Sequence, residues 1–152
     1  MEKKGLKFLI LLFYYSRPKM VLNALTSINK LEYKNFEVAF IDDGSDHPGK
    51  PIAEEHLKRS ILKKVKFYNT YDTIRQKIDR GGSEFGKVAN EVVKSSDADI
   101  VLMLCDDDAL FPDYLNYLNR FYLYNQRINY AYCKLKYYDP SKEAYTKAKA
   151  NE

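Results

Sequence analysis

The chain has 152 residues, 45% of them hydrophobic and 30% charged, with a formal net charge of +4. That length and apolar content favour one domain with its own core and exclude a disordered chain. The longest apolar run near the start, residues 8–15, is shorter than the ~20 residues of a bilayer span and leads into no small-residue cleavage site, so neither a transmembrane segment nor a signal peptide is expected and a cytoplasmic location is the default.

In chain order, residues 6–15 form a nearly unbroken apolar run that predicts a first strand. Val21, Leu25 and Ile28 then fall at helical spacing, with Leu22 and Leu31 widening the stripe; Ser16 is placed to cap that helix and Pro18 to stand in its first turn. "FEVAFI" (36–41) predicts a second strand, residues 50–62 a weaker helix, and "VKFY" (65–68) a short third strand. Residues 69–83 are polar, close on Gly81-Gly82, and read as a long loop of the kind that more often carries function than mere connection. Residues 84–94 place Val88, Val92 and Val93 on one side of a helix. "IVLMLC" (100–105) predicts a fourth strand, residues 113–124 a helix started by Pro112, and residues 129–138 a further edge strand. The tail after Asp139-Pro140 is rich in Lys and Ala and is expected to fray.

Alternating strands and helices imply an α/β fold, a mainly parallel central sheet with helices on both faces. Its strands should be covered on both sides, and Cys105 and Cys133 should be buried, reduced thiols, since neither their spacing nor the two histidines suit a zinc site. Residues 50–80 hold nine Lys/Arg against four Asp/Glu. Such a block suits a phosphate ligand, although most of these lysines should simply coat a solvated helix face, and no nucleic-acid partner is expected.

Two acidic clusters share an address. Asp42 and Asp43 end the second strand in "IDDGSD", and Asp106, Asp107 and Asp108 end the fourth in "CDDD". Ligands of open α/β sheets bind beyond the carboxyl ends of the strands, near the point where strand order reverses. With the first strand between the second and fourth, the clusters stand about 9–10 Å apart. Carboxylates there can accept from a base N–H or ribose hydroxyls and can hold a hard divalent cation. Gly44 lets the backbone turn sharply after Asp43. Taken alone, either cluster reads as an Asp-rich turn or a helix start; three acids directly after a buried strand, paired with a second cluster, argue against that.

On these residues the chain resembles the donor-binding half of family-two inverting glycosyltransferases of the GT-A fold. "FYYSRP" (13–18) is similar to the family's Y-N-R-P opening, "LTSINKLEYKNFEVAFIDDGSDH" (25–47) to its helix and D-D-G-S turn, and "GKVANEVVKSSDADIVLMLCDDDALFPDYL" (86–115) to its Gly-to-Asn helix opening, fourth strand, D-x-D region and P-D-x-L. The resemblance covers roughly residues 6–125; it rests on the joint order of motifs that are individually weak. "GKVAN" is shorter than the family's spacing. Cys105 stands where the first Asp of D-x-D is usual, while Asp106–Asp108 contains a D-x-D one residue later, which leaves two registers.

The resemblance implies a UDP-sugar donor, a glycan acceptor in polysaccharide or cell-surface glycan synthesis, Mn²⁺ or Mg²⁺ as cofactor, and a place in the cytoplasm or at the inner face of the membrane. It implies Asp43, with Asp42 beside it, at the uracil ring; Phe13 to Tyr15 lining the base; Lys77 or Arg80 reaching base or phosphates; Asp106 on the ribose side; Asp107 as metal ligand, with Asp108 as a second. The family's general base lies in a further half that no residue here matches. The expected organisation is a donor domain over residues 1–138 and a tail over 139–152 that opens onto an acceptor half or a partner chain. The alternatives are a non-catalytic nucleotide-binding module and another metal-dependent phosphate enzyme with acids at strand ends. Against the latter, a Toprim-like domain wants a glutamate after the first strand, a nucleotidyltransferase a Gly-rich loop there, and a receiver domain its acidic pair there.

Overall fold

The computed structural model describes residues 5–131 and the backbone of residues 136–139 and 144–147. The elements run β1 (Phe8–Tyr14), α1 (Val21–Lys30), β2 (Phe36–Asp42), α2 (Gly49–His56), α3 (Arg59–Leu62), β3 (Val65–Asn69), α4 (Ile74–Arg80), α5 (Phe85–Ser95), β4 (Ile100–Cys105), α6 (Tyr114–Tyr124), β5 (Lys136–Asp139) and β6 (Ala144–Lys147). β3, β2, β1 and β4 form a four-stranded sheet in that order, and all its pairings are parallel. β1 is therefore central, flanked by the two acid-bearing strands as expected.

β1 is apolar at every position because both its faces are covered. Phe8, Ile10, Leu12 and Tyr14 pack with α1, α2 and α6 through residues such as Val21, Leu25, Ile28, Ala53 and Leu115. Leu9, Leu11 and Phe13 face the other way, onto Val92 and the partly buried Phe85, Val88 and Ala89 of α5. Burial of each large side chain contributes ~1.5–3 kcal/mol, so β1 anchors both layers.

The second layer is thin. α5 covers β1 and β2 but not β4, and Val101 and Met103 are 42% and 67% exposed. β4 is thus not covered on both faces, and Cys105, on the same side, is exposed rather than buried. Cys133 lies outside the described residues.

Other expectations meet local physics. Ser16 does not cap α1, whose N-cap position is Met20, with no side-chain cap; Ser16 instead takes a left-handed φ of 48° and joins two loops. The helix expected over residues 50–62 breaks at Leu57, which buries its side chain in the core. Asn29 of α1 satisfies the interruption, donating to His56 O at 2.8 Å and accepting from the Lys58 N–H at 2.8 Å. The long loop contains α4, held by a capping box between Thr73 and Gln76 and stopped by Gly81 at φ 74°. The edge strand expected over residues 129–138 is absent at 129–131. β5 pairs antiparallel with β6 in a separate two-stranded sheet, across the expected boundary at residue 138.

Candidate functional site

The site is built at the carboxyl ends of β1, β2 and β4. Register places Tyr14 beside Asp42 and Phe13 beside Cys105. The chain leaves the sheet in three adjacent loops, and hydrogen bonds bind them together. Ser16 N–H donates to Ser45 Oγ at 2.8 Å, and Asp46 N–H donates to Ser16 Oγ at 3.1 Å. Gly44 adopts φ 68°, and a Cβ there would lie 2.1 Å from Asp72 O. Only glycine allows the β2 loop to press against the segment entering α4.

The two acids after β2 divide their work. Asp42 is 4% exposed, and its two oxygens accept from Ser45 N–H and Gly49 N–H, both at 2.9 Å. It shapes the turn and holds the start of α2. Asp43 N–H donates to Tyr14 O, leaving its carboxylate to face α4. Lys77 Nζ pairs with Asp43 Oδ2 at 2.9 Å and also bonds Asp43 O. Thr70 and Ser83 hydroxyls both donate to Asp43 Oδ1. The same ammonium lies 4.1 Å from the centroid of the Tyr15 ring. An acceptor, a donor and an aromatic face thus meet at one point.

Arg80 goes elsewhere. It pairs with Asp72 at 2.5 Å, and Glu84 N–H donates to the same oxygen at 3.0 Å. The Glu84 N–H first, and Arg80 next, hold the Asp72 carboxyl below the usual carboxylate range. These contacts fasten both ends of α4, which buries none of its own side chains.

The acids after β4 repeat the division. Asp106 is 1% exposed; its Oδ2 accepts from Tyr15 N–H at 3.0 Å. Its Oδ1 finds no aligned hydrogen bond and relies on an ion pair with Arg17 Nη2 at 2.6 Å. Arg17 Nη1 donates to Asp107 Oδ2 at 2.9 Å. Asp107 and Asp108 are exposed. Partial desolvation pushes the Asp108 carboxyl up, and the charges of Asp107 and Asp106 add to the shift. Partial desolvation first, and then the charges of Asp108, Asp107 and Asp106, raise the Cys105 thiol. Behind both clusters, burial and then Asp42 and Asp106 push the Tyr14 hydroxyl up to about 12; it donates to His47 O at 2.6 Å.

One ligand atom each from Cys105, Asp107 and Asp108 lies within 4.8 Å of the others. Two carboxylates suit a hard divalent cation, whereas a soft thiol does not, so of this group Asp107 and Asp108 are the residues that could hold one.

The structure thus brings Tyr15, Asp43 and Lys77 together, and Asp106, Asp107 and Asp108 together. Phe13 is 8% exposed and packs on Phe85 at 4.0 Å between ring centroids, under α5. Thr70, Ser83 and Arg17 were missed by sequence reasoning. Thr70 and Ser83 flank α4, whose T-x-x-Q cap was legible; Arg17 lies inside the quoted "FYYSRP", but no local pattern says which carboxylates it meets.

The family model described as "Glycosyl transferase family 2" matches residues 9–150. No curated protein matches the chain. Among solved structures, residues 1–349 of TarS from S. aureus are similar, with TM-score 0.63 and 22% identity over 79% of this chain and 33% of that one. The same fragment in complex with UDP gives TM-score 0.63 and 21% identity over the same shares. The fragment in complex with UDP-GlcNAc gives 0.59 and 18%, over 79% of this chain and 32% of that one. This chain therefore spans about a third of the length of those fragments. Sheet order, acids at the ends of β2 and β4, and a match over nearly the whole length agree: the chain has the GT-A fold and belongs to glycosyl transferase family 2.

Proposed function

We propose that this chain binds a UDP-sugar, with a divalent cation, for inverting transfer of the sugar to a glycan acceptor. The observation that carries this reading is the Asp43–Lys77 pair beside Tyr15. Uracil presents an N–H flanked by carbonyl oxygens. A carboxylate next to an ammonium offers that edge its complement, Asp43 accepting from N3–H and Lys77 donating to the neighbouring carbonyl. Cytosine has an unprotonated nitrogen at that position and would face the Asp43 carboxylate with no donor. Tyr15, 37% exposed, supplies the apolar face for the base. TarS, solved with UDP and with UDP-GlcNAc, shares the fold, which supports the ligand class.

Asp106 lies on the ribose side of the site. Asp107 and Asp108 hold the cation, which when bound neutralises charge on the diphosphate leaving group. Arg80 fixes α4 through Asp72 and leaves Lys77 to the base. Asp42 sets the turn that presents Asp43. No residue of this chain is assigned as general base, the group that would deprotonate the acceptor hydroxyl. No helix among the described residues is long and apolar enough to cross a membrane; we place the donor site in the cytoplasm or at the inner face of the membrane, where nucleotide sugars are supplied.

The test is calorimetry of the 152-residue chain with UDP and CDP, each with and without Mn²⁺. UDP is expected to bind at least tenfold tighter than CDP, the cost of one lost charged hydrogen bond. Equal affinities would refute the base assignment. Binding of neither nucleotide would refute the donor reading.

A further inference from the structure

Arg17 has no part in the donor reading, yet it stands on the acids that reading uses. Its backbone is fixed. It follows Ser16, whose left-handed turn is tied to Ser45 and Asp46, directly after the central strand. From there its guanidinium reaches two carboxylates at the end of β4, with one nitrogen on each.

The two carboxylates are unequal partners. Asp106 is 1% exposed and has one aligned hydrogen bond, from Tyr15 N–H to Oδ2; its Oδ1 has only the Arg17 pair. A buried carboxylate that lost its counter-charge would be strongly disfavoured, so this arm of Arg17 is held in place. The Asp107 side chain is 47% exposed, and water readily replaces Arg17 there. Asp107 also belongs to the group of close ligand atoms with Asp108. A cation that takes Asp107 through Oδ2 competes with Arg17 Nη1, which lies 2.9 Å from that oxygen.

We propose that Arg17 is a positioning residue that couples the cation to the diphosphate. It stays paired with Asp106, yields Asp107 to the divalent cation, and donates the freed N–H to a diphosphate oxygen. The inference rests on the UDP-sugar reading. Arginine suits this exchange because its planar fork serves two anions at once; a lysine point charge serves them less well. The physical consequence is linkage. For the cation alone, the Arg17 N–H displaced from Asp107 returns only to water. With the diphosphate present, the released donor finds a new anion. Cation and nucleotide must then tighten each other, and by the same factor.

The probe is Mn²⁺ binding by electron paramagnetic resonance, with Mn²⁺ alone and with UDP, for wild type, Arg17→Gln and Arg17→Lys. For wild type, UDP is expected to tighten Mn²⁺ strongly. In Arg17→Gln, removal of a nearby positive charge should tighten Mn²⁺ alone by about tenfold, a screened Coulombic effect. The mutual tightening between Mn²⁺ and UDP should fall by a similar factor. Arg17→Lys keeps a charge for Asp106 and should shift both quantities the same way by less; it decides the matter if the glutamine variant does not fold. A merely structural pin between the β1 and β4 loops would lower melting temperature and weaken Mn²⁺ under both conditions. Mn²⁺ alone binding the folded variants no tighter than wild type would overturn the proposal. Absence of UDP-dependent Mn²⁺ binding in wild type would instead overturn the donor reading beneath it.

Discussion

The turns after β2 and β4 follow one plan with different materials. In each, the first acid is buried and serves the protein, and the second meets a basic side chain from another segment, Lys77 of α4 or Arg17 of the β1 loop. Asp42 needs no counter-charge, because two backbone N–H groups satisfy it. Asp106 has one N–H and leans on Arg17. Asp43 is enclosed by Lys77, Thr70 and Ser83, its side chain 18% exposed, whereas the Asp107 side chain is 47% exposed and meets Arg17. On the proposed reading, the enclosed turn recognises the base and the open one exchanges Arg17 for a divalent cation.

Stability separates the buried pair most strongly. Asp42→Ala strands the buried Gly49 N–H and the part-buried Ser45 N–H and should cost ~2–4 kcal/mol, a fall in melting temperature on the order of 10 °C. Asp106→Ala strands one N–H, and the partly exposed Arg17 returns to water or to Asp107, so its cost should be about half. Thermal melts of the two variants compare them directly. An equal or greater loss from Asp106→Ala would mean that the Arg17 pair is structural in the same sense as the Asp42 turn.

Ligand binding separates the second acids. Asp107→Asn should abolish the Mn²⁺-dependent part of stabilisation by UDP, which at 100 times the dissociation constant amounts to about 2.7 kcal/mol, and leave the metal-independent part intact. Asp43→Ala should do the converse, weakening UDP ten- to a hundredfold even without metal and abolishing discrimination against CDP, for a loss of ~1.5–3 kcal/mol. Calorimetry of both variants with UDP, with and without Mn²⁺, tests the division. If either substitution affected both parts equally, the two turns would not have separate tasks.

The sequence carried the sheet and the two clusters but not this division. β1 and β2 are legible because burial on both faces leaves β1 with no charged residue and β2 with only Glu37 before Asp42, and the clusters are legible because carboxylates directly after such strands need a reason. Which acid of each pair turns inward depends on partners that sequence does not place: Gly49 seven residues on, and Tyr15 and Arg17 some ninety residues away. The break between α2 and α3 depends on Asn29 in the same way. α4 escaped for the opposite reason. Its cap and stop signals are local, but it buries no side chain, and its one apolar pair at helical spacing, Ile74 and Ile78, is exposed. The exposed face of β4 was invisible because an apolar run does not say how far a covering helix reaches.

The smallest effect contrasts Asp108 with Asp72, whose carboxyls are displaced in opposite directions from the ordinary 3.8. Partial desolvation and the neighbouring acids raise Asp108, so its charged form is disfavoured in the fold. The stability tied to this group is fully present below the unfolded value and is lost as pH rises through the raised folded value. The Glu84 N–H and Arg80 lower Asp72, so its contribution is present above the unfolded value and is lost as pH falls through the lowered one. Asp108→Asn should therefore raise the melting temperature at pH 7, by about a degree or two, and lose that advantage toward acid. Asp72→Asn should lower it at pH 7, and its deficit should close at acid pH. Melting curves from about pH 3 to pH 7 read both differences, which must slope in opposite senses. Adding UDP with Mn²⁺ at pH 7 should reverse the sign for Asp108→Asn alone, because a bound cation turns the repelled carboxylate into a ligand. An advantage that survived saturation with Mn²⁺ and UDP would leave Asp108 a neighbour of the cation site and Asp107 its carboxylate.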